Sequence, residues 1–439
     1  MIRSLLRRLL RAVLGLFFRR IEVIGRERVP DRGPVMFAIN HPNALVDACQ
    51  LLAFAPRPVA FLAKAPILRM PVIGTLARAL DTIPVYRRQD PGTDMAWNRE
   101  TFDRARRLLD GGGAIAIAPE GTSHSAPRLK PLKTGAARMA LGVRTAEQVL
   151  VIPVGLFYSA KGVFRSVALV WFGDPIPVAT APVDESGEPP AERVRELTEA
   201  IQAGLAALLP QADEHDALAL AGRVERLLQP DRSRRSVAEA VAVRQRLLAG
   251  YRRLRAEEPE ELARLAERAE RLEALVREVA IKPAHLSTRH FTAGAIAGAL
   301  AKLVARVLIV APLAIPGALV HWPAYRLVGW LAKRVTRPHP DVLATAKIIG
   351  AAVLYPLTWM AVAIAAGRLG GWVWGVAALL LTPLAGFAAL RVGERLEGFR
   401  SASRALAIYG FEPWRFRRLL EDREALRRDL LAMADRLGV

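Results

Sequence analysis

The chain has 439 residues, of which 52% are hydrophobic, and its 63 Lys and Arg against 42 Asp and Glu give a formal net charge of +21. The hydrophobic content indicates a membrane protein, and the charge favours an anionic partner such as nucleic acid, acidic lipid headgroups or a phosphorylated substrate. The single cysteine, Cys49, excludes an internal disulfide framework and any multi-cysteine zinc site.

Residues 1–20 form the first predicted element, an amphipathic helix. At about 100° per residue its arginines and its apolar residues fall on opposite sides: Arg3, Arg7, Arg8 and Arg11 on one, and Leu5, Leu6, Leu9, Val13, Leu16 and Phe17 on the other. A helix packed on the protein's own core is an alternative. A signal peptide would need an uninterrupted apolar core, which the arginines break. Because the polar face is all arginine, we expect an interfacial helix lying on anionic lipid.

Residues 21–180 alternate short apolar runs with amphipathic stretches. The runs are IEVIG, PVMFAIN, PVAFLA, AIAIA, VLVIPVGLF and VALVWFG. This alternation predicts an α/β domain with a mixed or largely parallel sheet flanked by helices. A linker follows over residues 181–189, and residues 190–285 form a charged helical region in which we expect solvated helix faces and no chemistry.

Residues 290–392 are predicted to be embedded in a membrane. The runs 348–366 and 371–390 each have about the 20 apolar residues that span a bilayer. Residues 291–322 are apolar but contain Pro312, Pro316 and Gly317, and basic residues flank both of their ends. We therefore expect a re-entrant or interfacial hairpin there.

Positive residues mark cytoplasmic loops of membrane proteins. The basic residues between the first two apolar segments and after the third are Arg326, Lys333, Arg334, Arg337, Lys347, Arg391, Arg395 and Arg400. They place the C-terminal helices, residues 393–439, and the α/β domain in the cytoplasm. We expect a membrane location, in a bacterial inner membrane, with the α/β domain facing the cytoplasm.

The stretch AINHPNALVDAC, residues 38–49, carries the first candidate site. A strand ends at Asn40-His41, and Pro42 suits the start of a helix. Residues six apart on one helix point about 240° apart, so His41 can meet Asp47 only by lying before the helix and folding back over it. The pair would then be a base and the carboxylate that orients it. The alternative is a capping histidine and an unrelated aspartate.

Three further blocks accompany this stretch. One places Gly74 and then Arg87 around the run IPVY, and another is VLVIPVGL, with Pro153 inside a strand. The third ends a strand in Pro119-Glu120-Gly121-Thr122 and continues with Arg128, Lys130 and Lys133 before a helix near Thr134. Basic side chains around a glycine-containing loop and a helix N-terminus predict an anion site.

In this order and spacing the four blocks, within residues 30 to about 175, resemble the glycerolipid acyltransferase family. The resemblance implies that His41 is a general base acting on the acceptor hydroxyl and that Asp47 orients it. It also implies that Arg87, Glu120 and Gly121 bind a glycerol phosphate acceptor. Lys133 is a further candidate from its charge, as are Thr122, Arg128 and Lys130 from their place in the block.

The resemblance implies an acyl thioester donor, acyl-CoA or acyl carrier protein, with no cofactor, metal or covalent acyl-enzyme. Expected partners are a phosphorylated glycerol acceptor, namely glycerol 3-phosphate or 1-acylglycerol 3-phosphate, and anionic membrane lipids, with no nucleic acid. Five residues separate His41 from Asp47 where four are commonest in the family. This spacing is similar to that of the branch with fungal-type glycerol 3-phosphate and dihydroxyacetone phosphate acyltransferases. Ala118 stands for the usual phenylalanine and Ser123-His124 for an arginine, which leaves the choice of acceptor open.

Two other classes of function compete with this interpretation. A catalytically inert membrane scaffold of the same fold would not need His41, Asp47 and Glu120 together. A nucleic-acid-binding membrane protein would fit the +21 charge. However, the 6% aromatic content and the spread of the arginines along the chain match no recognisable nucleic-acid-binding motif. A hydrolase would need a Gly-x-Ser-x-Gly elbow, which the sequence lacks.

Overall fold

The computed structural model describes residues 2–87, 97–144, 148–185, 187–228, 236–280, 293–337 and 339–438. The chain divides into two compact units. The first unit comprises Met1–Asp213, Val237–Val241 and Pro338–Thr345; the second comprises Glu214–Ser236, Ala242–Arg337 and Ala346–Val439.

The first unit is an α/β domain, as the alternation of apolar runs predicts. Its strands are β1 (Arg20–Ile24), β2 (Val35–Ile39), β3 (Ala60–Lys64), β4 (Ile83–Val85), β5 (Ala114–Ile117), β6 (Gln148–Tyr158), β7 (Val167–Phe172) and β8 (Ile176–Ala179). Its helices are α1 (Ile2–Phe17), α2 (Leu45–Phe54), α3 (Ala65–Arg69), α4 (Pro71–Ala79), α5 (Asn98–Asp110), α6 (Gly135–Leu141) and α7 (Ala191–Ala207).

The eight described strands form one mixed sheet, in which seven follow the order β1-β7-β6-β2-β5-β3-β4 and β8 pairs with β6 off this path. Strand β2 runs parallel to both β5 and β6, and β3 runs parallel to β4 and β5. The long strand β6 pairs antiparallel with β8 near its start and with β7 near its end. The carboxyl ends of β2, β4, β5 and β6 consequently lie at one edge of the sheet, where open α/β sheets place their sites.

Helix α7 belongs to this first unit, which differs from the prediction that residues 190–285 form one separate helical region. Its buried side chains Val194, Leu197, Ile201 and Leu205 join the same core cluster as Val149 and Val151 of β6. The four recur at a spacing of three or four residues, which gives the helix one apolar face. The other face of α7 is charged, as in the helices that follow, so composition alone does not separate α7 from them.

Two arginines of α1, Arg7 and Arg11, contact the protein itself, and the expected contact of the arginine face with anionic lipid stays a prediction. The Arg7 guanidinium donates to the carbonyl oxygens of Leu52 and Ala55, and Arg11 Nε donates to that of Ala53 at 2.7 Å. These carbonyls belong to the C-terminal end of α2, where the partial negative charge of the helix attracts a cation.

The exposed residues of α1 include apolar ones as well as arginines. Its exposed large hydrophobic residues are Ile2, Leu5, Leu9 and Leu16, while Leu14 and Phe17 are buried. The sequence predicts the amphipathic helix correctly. It does not predict which face packs inward, because that depends on contacts with the carbonyl oxygens at the end of α2.

The second unit is helical. Its elements are α8 (His215–Leu228), most of α9 (Val237–Glu257), α10 (Pro259–Glu278), α11 (Ala293–Val335), most of α12 (Leu343–Gly370), α13 (Trp372–Phe411) and α14 (Pro413–Leu437). Helices α8, α10 and α14 share a core that includes Val224, Leu265, Leu272, Phe416 and Leu426.

Among the residues that the structure describes, two helical segments, Pro340–Gly370 and Trp372–Phe411, are long and apolar enough to cross a membrane. The first contains the predicted span 348–366, and the second contains all of the predicted span 371–390 except residue 371. Gly371, with φ 89°, separates them at the predicted break.

The predicted re-entrant hairpin over residues 291–322 is wrong for its described part, because α11 runs without a break from Ala293 to Val335. Pro312 and Pro316 lie inside the helix. Gly317 serves close packing rather than a turn: a Cβ atom added to it would lie 2.1 Å from the carbonyl oxygen of Ala385 in α13. Prolines are tolerated inside apolar helices where neighbouring helices and local adjustments satisfy the freed backbone groups.

Candidate active site

Four strands deliver the polar residues of the candidate site to one edge of the sheet. His41 lies two residues beyond β2, Glu120 three beyond β5, and Arg87 two beyond β4. Tyr158 is the last residue of β6. Because these strands run parallel to one another within one sheet, side chains from distant parts of the sequence converge there.

His41 folds back over the first turn of α2 and meets Asp47, the geometry required if the two residues act together. Its Nδ1 lies 2.9 Å from Oδ2 of Asp47. Helix α2 starts at Leu45, and Ala44 before it has φ 45° and ψ −126°, a conformation that L-residues rarely adopt. This bend lets the five intervening residues return the imidazole to the carboxylate.

The Asp47 carboxylate is fully buried and held on both oxygens. Oδ2 accepts a hydrogen bond from the backbone N–H of Asn43 at 2.6 Å, and Oδ1 accepts one from the Tyr158 hydroxyl at 2.7 Å. Burial, together with the charge and the hydrogen bond of Asp47, raises the pKa of Tyr158 well above its ordinary value, so the hydroxyl stays a donor. With Asp47 as acceptor, Nδ1 of His41 carries the proton and Nε2 has a free lone pair.

Glu120 holds the loop after β5 against His41. Its Oε1 accepts from the backbone N–H of His41 at 2.9 Å, while Oε2 accepts from that of Lys130 at 2.9 Å and contacts Nε2 of His124. Burial alone would raise the pKa of Glu120, but these hydrogen bonds lower it below its ordinary value. Its proposed contact with substrate stays a prediction, because both oxygens are engaged by the protein.

The structure brings together three of the residues that were predicted to form the anion site: Arg87, Gly121 and Lys133. Arg87 Nη1 donates to the carbonyl oxygen of Gly121 at 3.3 Å. Gly121 has φ 72°, and a Cβ atom added to it would lie 2.7 Å from Nζ of Lys133. Only glycine fits this position without displacing the lysine. Two cations thus lie beside the backbone of Gly121.

The other predicted binding residues lie at different points of the same loop. Thr122 Oγ1 donates to the carbonyl oxygen of Ser123 at 3.3 Å. The Lys130 backbone binds Glu120, and its side chain is exposed. Arg128 is exposed and forms an ion pair with Asp213 at 3.5 Å, so the structure does not bring its guanidinium into the cluster of Arg87 and Lys133.

Three residues of the site were not predicted from the sequence. Lys161 and Tyr158 were not among the candidates, and His124 was noted only as a departure from the family pattern. Lys161 Nζ donates to the carbonyl oxygen of Pro42 at 3.0 Å and to Oγ of Ser125 at 2.7 Å. Burial lowers the pKa of Lys161. Neither residue lies in a motif, and only the return of β6 beside β2 brings them to His41.

The arrangement supplies a base, the carboxylate that orients it and two nearby cations. His41 has 21% of its side chain exposed, which leaves the imidazole accessible to a substrate while Asp47 is not. Within the residues that the structure describes, no three His, Cys, Asp or Glu side chains form a group that could hold a metal ion.

Comparison with known proteins identifies two family models in this chain. The model described as "Acyltransferase" matches residues 20–156, and the model "Glycerol-3-phosphate acyltransferase 2 C-terminal domain" matches residues 220–438. The first match covers the α/β domain from β1 to most of β6, and the second covers most of the helical remainder.

Two similar proteins come from Saccharomyces cerevisiae. Glycerol-3-phosphate O-acyltransferase 2 is 36% identical over 157 residues, which are 35% of this chain and 21% of that protein. Glycerol-3-phosphate O-acyltransferase 1 is 26% identical over 333 residues, 55% of this chain and 44% of that protein. The chain therefore spans less than half the length of either protein.

A solved structure is also similar, that of the 1-acyl-sn-glycerophosphate acyltransferase PlsC from Thermotoga maritima. It has 20% sequence identity and a TM-score of 0.35, and the match covers 47% of this chain and 80% of that chain.

Proposed function

Because this chain belongs to the glycerolipid acyltransferase family, we propose that it transfers a fatty acyl group from an acyl thioester to a hydroxyl of glycerol 3-phosphate or 1-acylglycerol 3-phosphate. The observation that carries the proposal is the contact of His41 Nδ1 with the buried Asp47 carboxylate at 2.9 Å. This contact leaves Nε2 of His41 as the free base of the site.

In the proposed reaction His41 acts twice. Its Nε2 takes the proton of the acceptor hydroxyl as that oxygen attacks the thioester carbonyl, and Asp47 stabilises the imidazolium that forms. The tetrahedral intermediate then expels the thiolate, which takes the proton from Nε2. The acyl group ends as an ester and the donor as a free thiol. The chain needs no covalent acyl-enzyme, since a thioester is already activated.

We assign the acceptor phosphate to Arg87 and Lys133. Both cations lie beside Gly121, and the loop that contains Gly121 is hydrogen-bonded to the backbone of His41 through Glu120. A phosphate held there would fix the acceptor relative to the base, which is the main requirement for a reaction between two bound substrates.

We also propose that the enzyme works at a membrane surface with its catalytic unit in the cytoplasm. The outward stripe Ile2, Leu5, Leu9 and Leu16 of α1 offers an apolar surface to a bilayer, and two further helices are long enough to span one. The first unit includes residues 339–345, at the start of the first candidate span, and the basic residues around them favour the cytoplasmic side. A bacterial inner membrane stays a prediction.

The test is acyl transfer by the purified full chain in detergent. Labelled acyl-CoA and acyl carrier protein are each offered with glycerol 3-phosphate, dihydroxyacetone phosphate, 1-acylglycerol 3-phosphate and unphosphorylated glycerol, and products are identified by mass spectrometry. We expect an ester of a phosphorylated acceptor, formed equally well in the presence of EDTA. A folded protein that forms no ester with any acceptor would favour the inert scaffold of the same fold.

A further inference from the structure

Residues 339–345, called here the 339–345 segment, come from the C-terminal half of the chain but belong to the first unit with the candidate active site. The segment contains a single 3₁₀ turn, Pro340–Val342, and the first residues of α12. Asp341 is 8% exposed and Ala344 is fully buried. The segment is therefore packed into this unit and is not a solvated linker.

Two contacts fix the segment to loops around His41. The Ser123 hydroxyl donates to Oδ2 of Asp341 across 218 residues of sequence. The Leu343 side chain packs against Gly162, where an added Cβ atom would lie 2.7 Å from Leu343 Cδ2. Asp341 thus binds the loop after β5, and Leu343 packs on the loop after β6.

The loop that contains Ser123 is joined to His41 on both sides. The backbone N–H of His124 donates to the carbonyl oxygen of His41 at 3.1 Å, and the backbone N–H of His41 donates to Glu120 at 2.9 Å. A displacement of Ser123 would therefore be transmitted to the backbone that carries the proposed base.

Lys161 precedes Gly162, the residue on which Leu343 packs, and it also contacts the loops of the site. Its ammonium donates to the carbonyl oxygen of Pro42, the residue after His41, and to Ser125. Burial lowers the pKa of Lys161, and the charge of Asp341 opposes this by raising it. The carboxylate of Asp341 thus helps to keep this half-buried cation protonated.

We propose that Asp341 is a positioning residue for the acyltransferase site, which orders the Ser123 loop around His41. The site is then complete only with a residue from the C-terminal half of the chain. The inference deepens the proposed function and rests on it. It implies that the catalytic loops are coupled to the stretch of chain that leads directly into an apolar helix.

The test combines kinetics with hydrogen exchange on the full chain in detergent. The variants are Asp341→Ala, Asp341→Asn, Ser123→Ala and the double variant Asp341→Ala/Ser123→Ala. Asp174→Ala is the matched control, because it makes the same change in the same unit at a side chain that is 89% exposed. Thermal melting shows whether each variant is folded.

We expect Asp341→Ala to lower kcat about 10-fold, the scale of one lost hydrogen bond to a charged group, and to leave KM for the acyl donor unchanged. Asp341→Asn, which can still accept the hydrogen bond of Ser123, should retain most of the activity. The double variant should be no worse than Asp341→Ala alone, since both changes remove the same contact. Amide exchange in residues 119–126 should rise in Asp341→Ala and not in the control.

Wild-type kinetics in Asp341→Ala, or effects of Asp341→Ala and Ser123→Ala that simply add, would overturn the proposal. If Asp341→Ala does not fold, Ser123→Ala decides, with a wild-type kcat counting against the proposal. If the wild-type chain transfers no acyl group, the proposed function fails. The exchange of residues 119–126 then still tests the contact itself, and unchanged exchange in Asp341→Ala would disprove it.

Discussion

At the scale of single residues, Ala44 explains how five intervening residues still join His41 to Asp47. Its backbone, at φ 45°, bends the chain directly before α2. Residues held in such rarely populated conformations cost about 1–3 kcal/mol each and persist where the surroundings enforce them. Helical geometry alone predicts that His41 must precede the helix. It does not predict which residue takes the strained conformation, because that depends on the packing of α2.

Arg87 gives a test of the acceptor site. Replacing Arg87 by Ala removes a charge-assisted contact that the phosphorylated acceptor makes and the acyl donor does not. We expect KM for the acceptor to rise about 10-fold or more with little change for the donor. Arg128→Ala, at an exposed arginine paired with Asp213, is the control and should change KM for the acceptor much less. Equal increases for both substrates in Arg87→Ala would show that this arginine is structural.

Tyr158 gives a test of the support beneath the base. Tyr158→Phe removes the hydroxyl that donates to Oδ1 of the buried Asp47, which leaves that oxygen without this donor. Loss of a partner by a buried polar group costs about 1–3 kcal/mol, so the variant should melt several degrees lower while it keeps part of its activity. Asp47→Asn should lower turnover more, because it removes the charge that stabilises the imidazolium. A Tyr158→Phe enzyme less active than Asp47→Asn would contradict this order.

At the scale of elements, the sequence predicts the existence and the type of most helices and strands but not the partners of their faces. Six of the described strands correspond to the apolar runs in the sequence. The short strands β4 and β8 are not among those runs. The interior prolines of α11 suggested a break, but the neighbouring α13 approaches Gly317 closely and the helix continues. The inward face of α1 likewise depends on the carbonyl oxygens at the end of α2.

Glu273 of α10 links this helix to α8, in addition to the apolar core that they share. Its carboxylate accepts hydrogen bonds from Arg223 at 2.8 Å and Arg226 at 2.8 Å in α8, and from Arg277 at 2.6 Å in α10. Burial alone would raise the pKa of Glu273, but the arginines lower it to about 2. An unfolded glutamate titrates near pH ~4.3. The contribution of Glu273 to stability is therefore complete above that pH and is lost as the pH falls toward 2.

Glu273→Gln should lower the melting temperature at pH 7 by about 2–4 °C and should flatten its fall between pH ~4.5 and 2. Glu270→Gln is the control, since Glu270 is 70% exposed and lies 3.9 Å from Arg223. Circular dichroism of both variants across this pH range measures the effect. If the melting temperature of Glu273→Gln fell with pH just as that of the wild-type protein does, the ion pairs of Glu273 would not contribute to the stability of the fold.

At the scale of the whole molecule, the sequence predicts an α/β domain followed by apolar helices, but it does not predict which later residues join that domain. The 339–345 segment and α7 both belong to the first unit. Nothing in the pattern of the segment indicates this, because its contacts with Ser123 and Gly162 are made across long stretches of sequence.

Single-cysteine labelling tests the proposed orientation. Burial and the charge of Asp47 raise the pKa of Cys49 to about 12, so the native thiol should react poorly, and Cys49→Ser removes it altogether. In that background, Val163→Cys, Val335→Cys and Leu369→Cys are placed at residues that are exposed in the structure. An impermeant maleimide should label only Leu369→Cys in intact cells of a bacterial host, and all three after permeabilisation. Labelling of Val163→Cys in intact cells would put the catalytic unit outside.

His41 is the proposed base of the acyl transfer. The direct measurement compares turnover of wild-type, His41→Ala and His215→Ala enzymes with acyl-CoA and the preferred phosphorylated acceptor, after thermal melting has shown that each is folded. His215 is exposed at the start of α8, so its replacement controls for the loss of any histidine. We predict that His41→Ala lowers kcat by about 10²–10⁴-fold, the usual contribution of a positioned general base, and that His215→Ala does not. A folded His41→Ala enzyme with turnover near that of the wild type would contradict the account.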